Sequence, residues 1–492
     1  MKNLMIKIVT LWLLLLIPAI PIQAKTVDKN QALHVANNWI TFIIYNKGHW
    51  GGSAEAGVAE IQELKRDKRI LGYFCRVEPQ GYIVVSLLKE LSPVTDFSSD
   101  SYLDPKSEEG MAKLIKDCIE RVHEGIEKQA GPIESATTKQ LKGILSASYT
   151  DSWSQLEKDS AVFKSELETG VIIMNYQEGE ELLTSRWHQF SPYYLYCPAP
   201  PPGSGCTEPH CTVGCVGLSA CEIMRYWAWP PYGTTAPYND LYQWKNMPDK
   251  ATDSSPSEQK FAVAELCYEV AVAILSDFCI AGGCATSSNF TNVKNANENY
   301  FRYANGSSEI LRANYDEATW FSIIKQQLNV NRPVQYAIPG HAIVVDGWME
   351  VDPGPERFVH VVYGWRNAAN TGWHLLDEIP GGNPTISMLR NIVPAPALGS
   401  SISGVYPLPS FPYRYFDRDC SATYAVFQAG HQLQFLQNIT VRGSASSSES
   451  RITFYGSPSL NTRLFSRGDP SKGIRISNGA VKLKSNGSIK FN

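Results

Sequence analysis

Neither sign of charge is much in excess in this 492-residue chain, where 44 basic and 48 acidic residues leave a formal net charge of -4. That balance excludes the electrostatic signature of a nucleic-acid binder or of a protein drawn to anionic membranes. No internal repeat of convincing length is present. No run fits a common metal pattern well either. Cys206, His210, Cys211 and Cys215 cluster without the usual spacing of structural zinc, and no histidine follows a Cys-x-x-Cys pair as haem attachment requires. What remains is an ordinary globular balance, 43% hydrophobic and 19% charged, with ample material for a core. At about 150 residues per domain the length suggests roughly three domains.

The N-terminus reads as a targeting segment. Lys2 and Lys7 precede an apolar stretch from Ile8 to Ile22, and Gln23-Ala24 completes a cleavable ending, so residues 1–24 are expected to be a signal peptide. The alternative is an uncleaved anchor, against which stand its shortness and the breaks at Pro18 and Pro21. Export leads to a secreted, periplasmic or cell-surface location where disulfides form. Eleven cysteines then leave at least one thiol unpaired.

Three folded regions follow. Residues 25–130 carry a helical repeat from Lys29 to Ile44, two strands at Gly72-Tyr-Phe and Gly81-Tyr-Ile-Val-Val-Ser, and a second helix from about Glu108 to Gln129. Residues 131–175, rich in Ser, Thr, Lys and Glu, read as an exposed linker with some helix, a natural place for proteolysis. Residues 176–395 hold every chemical motif, helical and turn-rich first and strand-rich later. Residues 401–492 alternate short apolar strands with Gly, Asn, Asp and Ser turns, as a small all-β module does.

The most informative segment is Gly214-Cys-Val-Gly-Leu-Ser-Ala-Cys-Glu-Ile-Met-Arg-Tyr-Trp. Val216, Ala220, Ile223, Met224 and Trp227 fall on one helical face that ends before Pro230 and Pro231. Cys215 therefore starts a helix, where free backbone N–H groups and the positive end of the dipole favour a thiolate. Spacing alone leaves three roles open for it: nucleophile, disulfide partner of Cys206, Cys211 or Cys221, or metal ligand.

A thiolate that attacks an amide needs an imidazole to pair with it and to protonate the leaving amine. Pro339-Gly340 delivers His341 to the strand Ala342-Ile-Val-Val-Asp-Gly, a rigid base from which it can face a cleft. His188 and His210 are rivals without such a scaffold. Phe358-Val-His-Val-Val-Tyr-Gly-Trp reads as a buried strand, and Gly372-Trp-His-Leu-Leu pairs back on it as a hairpin. Trp365 is either a shield for the Cys–His pair or ordinary core. In Trp187-His-Gln-Phe-Ser-Pro-Tyr, Gln189 can donate to an oxyanion.

With these residues in place, the chain resembles the streptopain family of papain-like cysteine peptidases. The matching pieces are Trp187-His-Gln-Phe-Ser-Pro-Tyr, Gly214-Cys-Val, Tyr242-Gln-Trp-Lys-Asn-Met-Pro, Gly340-His-Ala-Ile-Val-Val-Asp-Gly and His360-Val-Val-Tyr-Gly-Trp, in the family's order across about residues 181–390. The resemblance implies an α+β fold: a papain-like two-lobed peptidase domain preceded by an α+β inhibitory prodomain. It makes Cys215 the nucleophile, His341 the base and Gln189 the oxyanion donor, and places Cys284 and Gly340 near substrate. The loop from Asp277 to Ala285 carries Cys279 and Cys284 where the family has Gly and Ser, and a disulfide within that loop is expected. The family reads Asn-Trp-Gly-Trp where this chain has Val362-Tyr363-Gly364-Trp365, so either Tyr363 orients His341 by packing or hydrogen bonding or the site works without the amide, and the third catalytic position stays open.

The reading is a secreted cysteine endopeptidase made as a self-inhibited zymogen, with protein or peptide substrates, its own prodomain as intramolecular inhibitor, no nucleic-acid partner, and no metal or organic cofactor. The mature chain is expected to start near 165–180. The alternative, a papain-like binding protein or adhesin with little activity, rests on Val362 and the extra cysteines. The C-terminal module is expected to bind a surface or carbohydrate, or to serve secretion or attachment.

Overall fold

The computed structural model describes residues 26–395, except 146–147, 173, 281, 353–355, 366–370 and 377–385, and further on the strands between 401 and 484. The signal segment at 1–24 lies outside the described residues.

Helix α1 (Lys29–Lys47) begins at a capping box. Asp28 accepts from the Gln31 N–H at 2.9 Å, and the Gln31 side chain accepts from the Asp28 N–H at 3.1 Å. Gly48, at φ +81°, ends it in the left-handed conformation that glycine tolerates. Its apolar stripe of Ala32, Val35, Trp39 and Ile43 is buried over an antiparallel meander of β1 (Gly57–Arg66), β2 (Arg69–Glu78), β3 (Tyr82–Ser86) and β4 (Val94–Ser98). Helix α2 (Gly110–Ala130) buries Met111, Ile115, Ile119 and Ile126.

The stretch read as an exposed linker is folded. It forms three short helices, α3 (Thr138–Ile144), α4 (Thr150–Leu156) and α5 (Ser160–Glu168), which bury Leu141, Trp153, Leu156, Phe163 and Leu167. Asn38 of α1 donates to the carbonyls of Leu156 and Lys158, and Trp153 donates to that of Leu91. Each helix supplies only one or two anchors, too few for a periodic signal.

Beyond it come β5 (Asn175–Glu178), α6 (Cys215–Trp227), α7 (Ser257–Ala273), α8 (Phe290–Asn299), β6 (Ser308–Leu311), α9 (Glu317–Leu328), β7 (Val334–Ile338), β8 (His341–Asp352), β9 (Glu356–Val362), β10 (Thr371–Leu375) and β11 (Ser387–Arg390). The N-terminal meander and the later strands form one sheet in the order β1-β2-β3-β4-β10-β9-β8-β7-β11-β6, with β5 added alongside β8. The joint is antiparallel pairing of β4 with β10, which sets Phe97 opposite Trp373 and Asp96 opposite His374.

Between 401 and 484 the described residues lie in strands. The pairing is parallel: Ser401–Tyr406, Cys420–Phe427, Arg451–Tyr455 and Ala480–Lys484 lie side by side, and Tyr413–Phe416, Gln432–Phe435 and Arg463–Ser466 form a second ladder. Parallel ladders that pair strands in this way are found in stacked β-repeats.

Candidate active site

Gly214 sits at φ +84° immediately before α6. A Cβ there would lie 2.7 Å from the Thr286 carbonyl oxygen, so only glycine fits. Cys215 is the first residue of the helix, with the unpaired N–H groups of the first turn around it. Gln335 of β7 pins that turn, donating to the Val216 carbonyl and to Ser219 Oγ, both at 2.8 Å. Cys215 makes no disulfide.

His341 opens β8, paired with Ile338 across a tight hairpin in which Gly340 takes φ +76°. Its ring is buried, and its Nε2 lies 2.7 Å from the Tyr363 carbonyl oxygen. A carbonyl only accepts, so Nε2 carries the proton. That leaves Nδ1 for the hydrogen bond with Cys215. Burial would raise the Cys215 thiol, but the hydrogen bond and charge of His341, with the Ala342 and Val216 N–H groups, bring it below the ordinary thiol value. Burial would lower His341, but the bond and charge of Cys215, with the Tyr363 carbonyl, raise it. Both shifts favour a thiolate–imidazolium pair.

Trp365 stands edge-on to His341, with ring centroids 5.1 Å apart. Its outer side meets Gly110 at the start of α2, at φ +59°, where a Cβ would fall 2.6 Å from the indole. The N-terminal unit thus presses directly on the wall of the Cys–His pair. Val362, at the asparagine position, is buried in the core and makes no polar contact through its side chain.

Gln189 is 8% exposed, and its carbonyl accepts from the Val213 N–H, two residues before Cys215. Sequence reasoning missed what fixes this loop. Glu222, on the buried side of α6, accepts from the Trp187 N–H at 2.9 Å, so the helix that starts at Cys215 also holds the Gln189 segment. Burial raises this carboxyl to about 8. Its one signal in the sequence is a glutamate amid the apolar residues of α6. Asp346 of β8 similarly accepts from the Leu183 N–H and from His360 Nδ1.

The expected disulfide within the 277–285 loop is corrected. Cys284 pairs with Cys206, and Cys279 pairs with Cys211. Two loops distant in sequence lie side by side, with the Thr212 N–H and hydroxyl both donating to the Cys284 carbonyl, so the bridges run between them. This also removes Cys206 and Cys211 as metal ligands. Of the rival imidazoles, His210 contacts the Cys197 carbonyl, and His188 packs edge-on to Tyr193.

A thiol at a helix N-terminus, hydrogen-bonded to an imidazole on a neighbouring strand, is the arrangement that an activated thiol nucleophile requires, and cysteine peptidases use it. The Peptidase C10 family pattern matches residues 187–374, and that of the Spi protease inhibitor matches residues 24–122. The chain thus carries a streptopain-like cysteine peptidase domain of the Peptidase C10 type, preceded by an Spi-type inhibitory prodomain. Streptopain of Streptococcus pyogenes is 24% identical over 362 residues, covering 66% of this chain and 80% of its own. The thiol protease/hemagglutinin PrtT of Porphyromonas gingivalis is 27% identical over 215 residues, 40% of this chain and 23% of its own. Among solved structures, a prointerpain A fragment of Prevotella intermedia aligns at 18% identity with a TM-score of 0.45, covering 68% of this chain and 99% of that one.

Proposed function

We propose that the chain is an exported endopeptidase zymogen in which Cys215, His341 and Gln189 carry out acyl transfer from peptide bonds to water. The Cys215 thiolate attacks the carbonyl carbon. The oxyanion that forms is received by the Gln189 amide and the Cys215 N–H. His341 gives the proton on Nδ1 to the leaving amine as the C–N bond breaks. It then takes a proton from water as that water attacks the thioester and frees Cys215. The Tyr363 carbonyl keeps the ring oriented throughout, while Trp365 covers it. Cys284 and Gly340 flank the substrate path. The observation that carries this reading is the His341 ring held between the Cys215 thiol and the Tyr363 carbonyl.

Activation is assigned to cleavage near 165–180. Support comes from the exposed turn after α5, where Gly170 has φ +72° and Val171 is 67% exposed. Residues 25–130 act as the inhibitory prodomain, and residues 131–168 pack with them. Export rests on the N-terminal segment; among the described residues no helix is long and apolar enough to cross a membrane. The stacked C-terminal strands are proposed to bind a surface or carbohydrate, since coiled β-stacks offer extended faces. The test is casein cleavage by the processed enzyme. Cleavage lost in Cys215→Ala and in His341→Ala supports the scheme, and cleavage retained in either overturns it.

A further inference from the structure

A cavity of about 400 Å³ lies between α2 and β4 of the prodomain and the β7–β10 face of the peptidase. Its volume is within the range of about 300–1,000 Å³ typical of small-molecule sites. Leu114, Ile119 and Val122 line it from the prodomain, and Ile343, Val359 and Val361 from the peptidase. Polar side chains are a minority of the lining, among them Thr95, Asp96, Arg121, His123 and His374. His123 is 1% exposed, and neither ring nitrogen has a partner among the described residues. Burial and the charge of Arg69 bring it to about 4, so at neutral pH the ring offers one donor and one acceptor. Arg121, also in the lining, contacts the Asp117 carbonyl and Cys118 Sγ but pairs with no carboxylate among the described residues. Asp96 is paired through Oδ1 with His374, which also hydrogen-bonds Cys118, while Asp96 Oδ2 has no partner among the described residues.

A buried imidazole without partners in an apolar chamber is costly unless something satisfies it. An arginine lacking a carboxylate supplies the complementary charge. We propose that this seam binds a single-chain fatty acid, its alkyl tail among the apolar residues and its carboxylate taken by Arg121 and His123. Both walls are needed, so the site exists only while the prodomain is docked. A ligand that binds only the docked state stabilises it by mass action. At a hundred times its Kd it would cut release of a cleaved prodomain about 100-fold. The site would thus link zymogen activation to free fatty acid.

The experiment uses the full-length Cys215→Ala precursor, which cannot process itself under the proposed scheme, titrated with laurate below its micelle concentration. Binding is read by calorimetry and by maleimide labelling of Cys118, quantified by peptide mapping. The expected result is one saturable site and Cys118 labelling slowed about tenfold or more at saturation. Val359→Phe, which fills the cavity, should abolish both effects while the prodomain stays docked. Ile119→Phe serves as the second filling variant if the first fails to fold. Arg121→Gln should weaken laurate about tenfold and leave 1-dodecanol unchanged. Absence of saturable binding, binding that survives both filling variants, or equal binding to processed peptidase freed of its prodomain would each overturn the proposal. None of these outcomes depends on whether Cys215 is the nucleophile.

Discussion

The Nε2 atom of His341 donates to the main-chain carbonyl of Tyr363 across 2.7 Å. Any residue at 363 would supply that oxygen, so orientation of the imidazole rests on the backbone path after β9 and not on a side-chain amide. Val362→Asn should therefore change kcat/KM by less than about threefold, under ~0.7 kcal/mol. A gain of tenfold or more would show that the carbonyl holds the ring poorly.

The pH profile follows from the same pair. The Cys215 thiol lies below its ordinary value, so the acid limb, where thiolate is lost, should fall below the ordinary thiol range. The His341 imidazole is raised, so the alkaline limb should fall above the ordinary imidazole range. A bell between them is expected in kcat/KM, its two limbs belonging to the coupled pair. A single limb at the usual histidine value would contradict the ion pair.

Prodomain docking has its own pH dependence. His374 of the peptidase, 27% exposed, pairs with Asp96 of the prodomain, and though burial would lower it, the Asp96 charge and hydrogen bond raise it well above its ordinary value. A raised histidine stabilises the docked state fully below its free value of about 6.5, and that contribution is lost as pH rises through the docked value. Activity recovered from a cleaved but unseparated complex should therefore rise toward alkaline pH beyond what the catalytic bell explains. Asp96→Asn should flatten that excess and weaken inhibition roughly 5- to 150-fold, about 1–3 kcal/mol after allowance for the partial exposure.

Gly110 is where the prodomain touches Trp365, with no room for a Cβ and a positive φ. Gly110→Ala should loosen docking by about 1–3 kcal/mol and speed self-activation of the precursor, while the processed enzyme, which lacks residue 110, stays unchanged. Precursor half-lives on a gel measure this. An unaltered half-life would show that the contact bears no part of inhibition.

The bridge from Cys206 to Cys284 closes a 78-residue separation and the one from Cys211 to Cys279 closes 68. Removing the first by Cys206→Ser with Cys284→Ser should lower stability of the processed enzyme by about 2–4 kcal/mol. Denaturant midpoints at unchanged slope would report it. No change would mean that the hydrogen bonds at Thr212 suffice to hold the loops.

What could be read in the residues follows from where each signal lies. Cys215 at a helix start and His341 at a strand mouth were legible because local pattern and turn glycines mark them. The partner of His341 was not, since a backbone carbonyl has no side-chain signature. Disulfide connectivity was not, because it depends on which loops meet in space. Pairing of β4 with β10 was equally hidden: Phe97 and Trp373 are separated by most of the chain, and each strand reads as an ordinary buried one. The parallel stacking between 401 and 484 escaped for the same reason, alternation revealing strands but not their neighbours.

The most direct test of the central claim is alkylation of Cys215 with iodoacetamide in the non-reduced precursor and in its processed form, followed by peptide mapping across pH. The account predicts labelling that rises on processing, persists below the ordinary thiol range, and loses that low-pH reactivity in His341→Ala. A Cys215 found in a disulfide, or unreactive after processing, would contradict it.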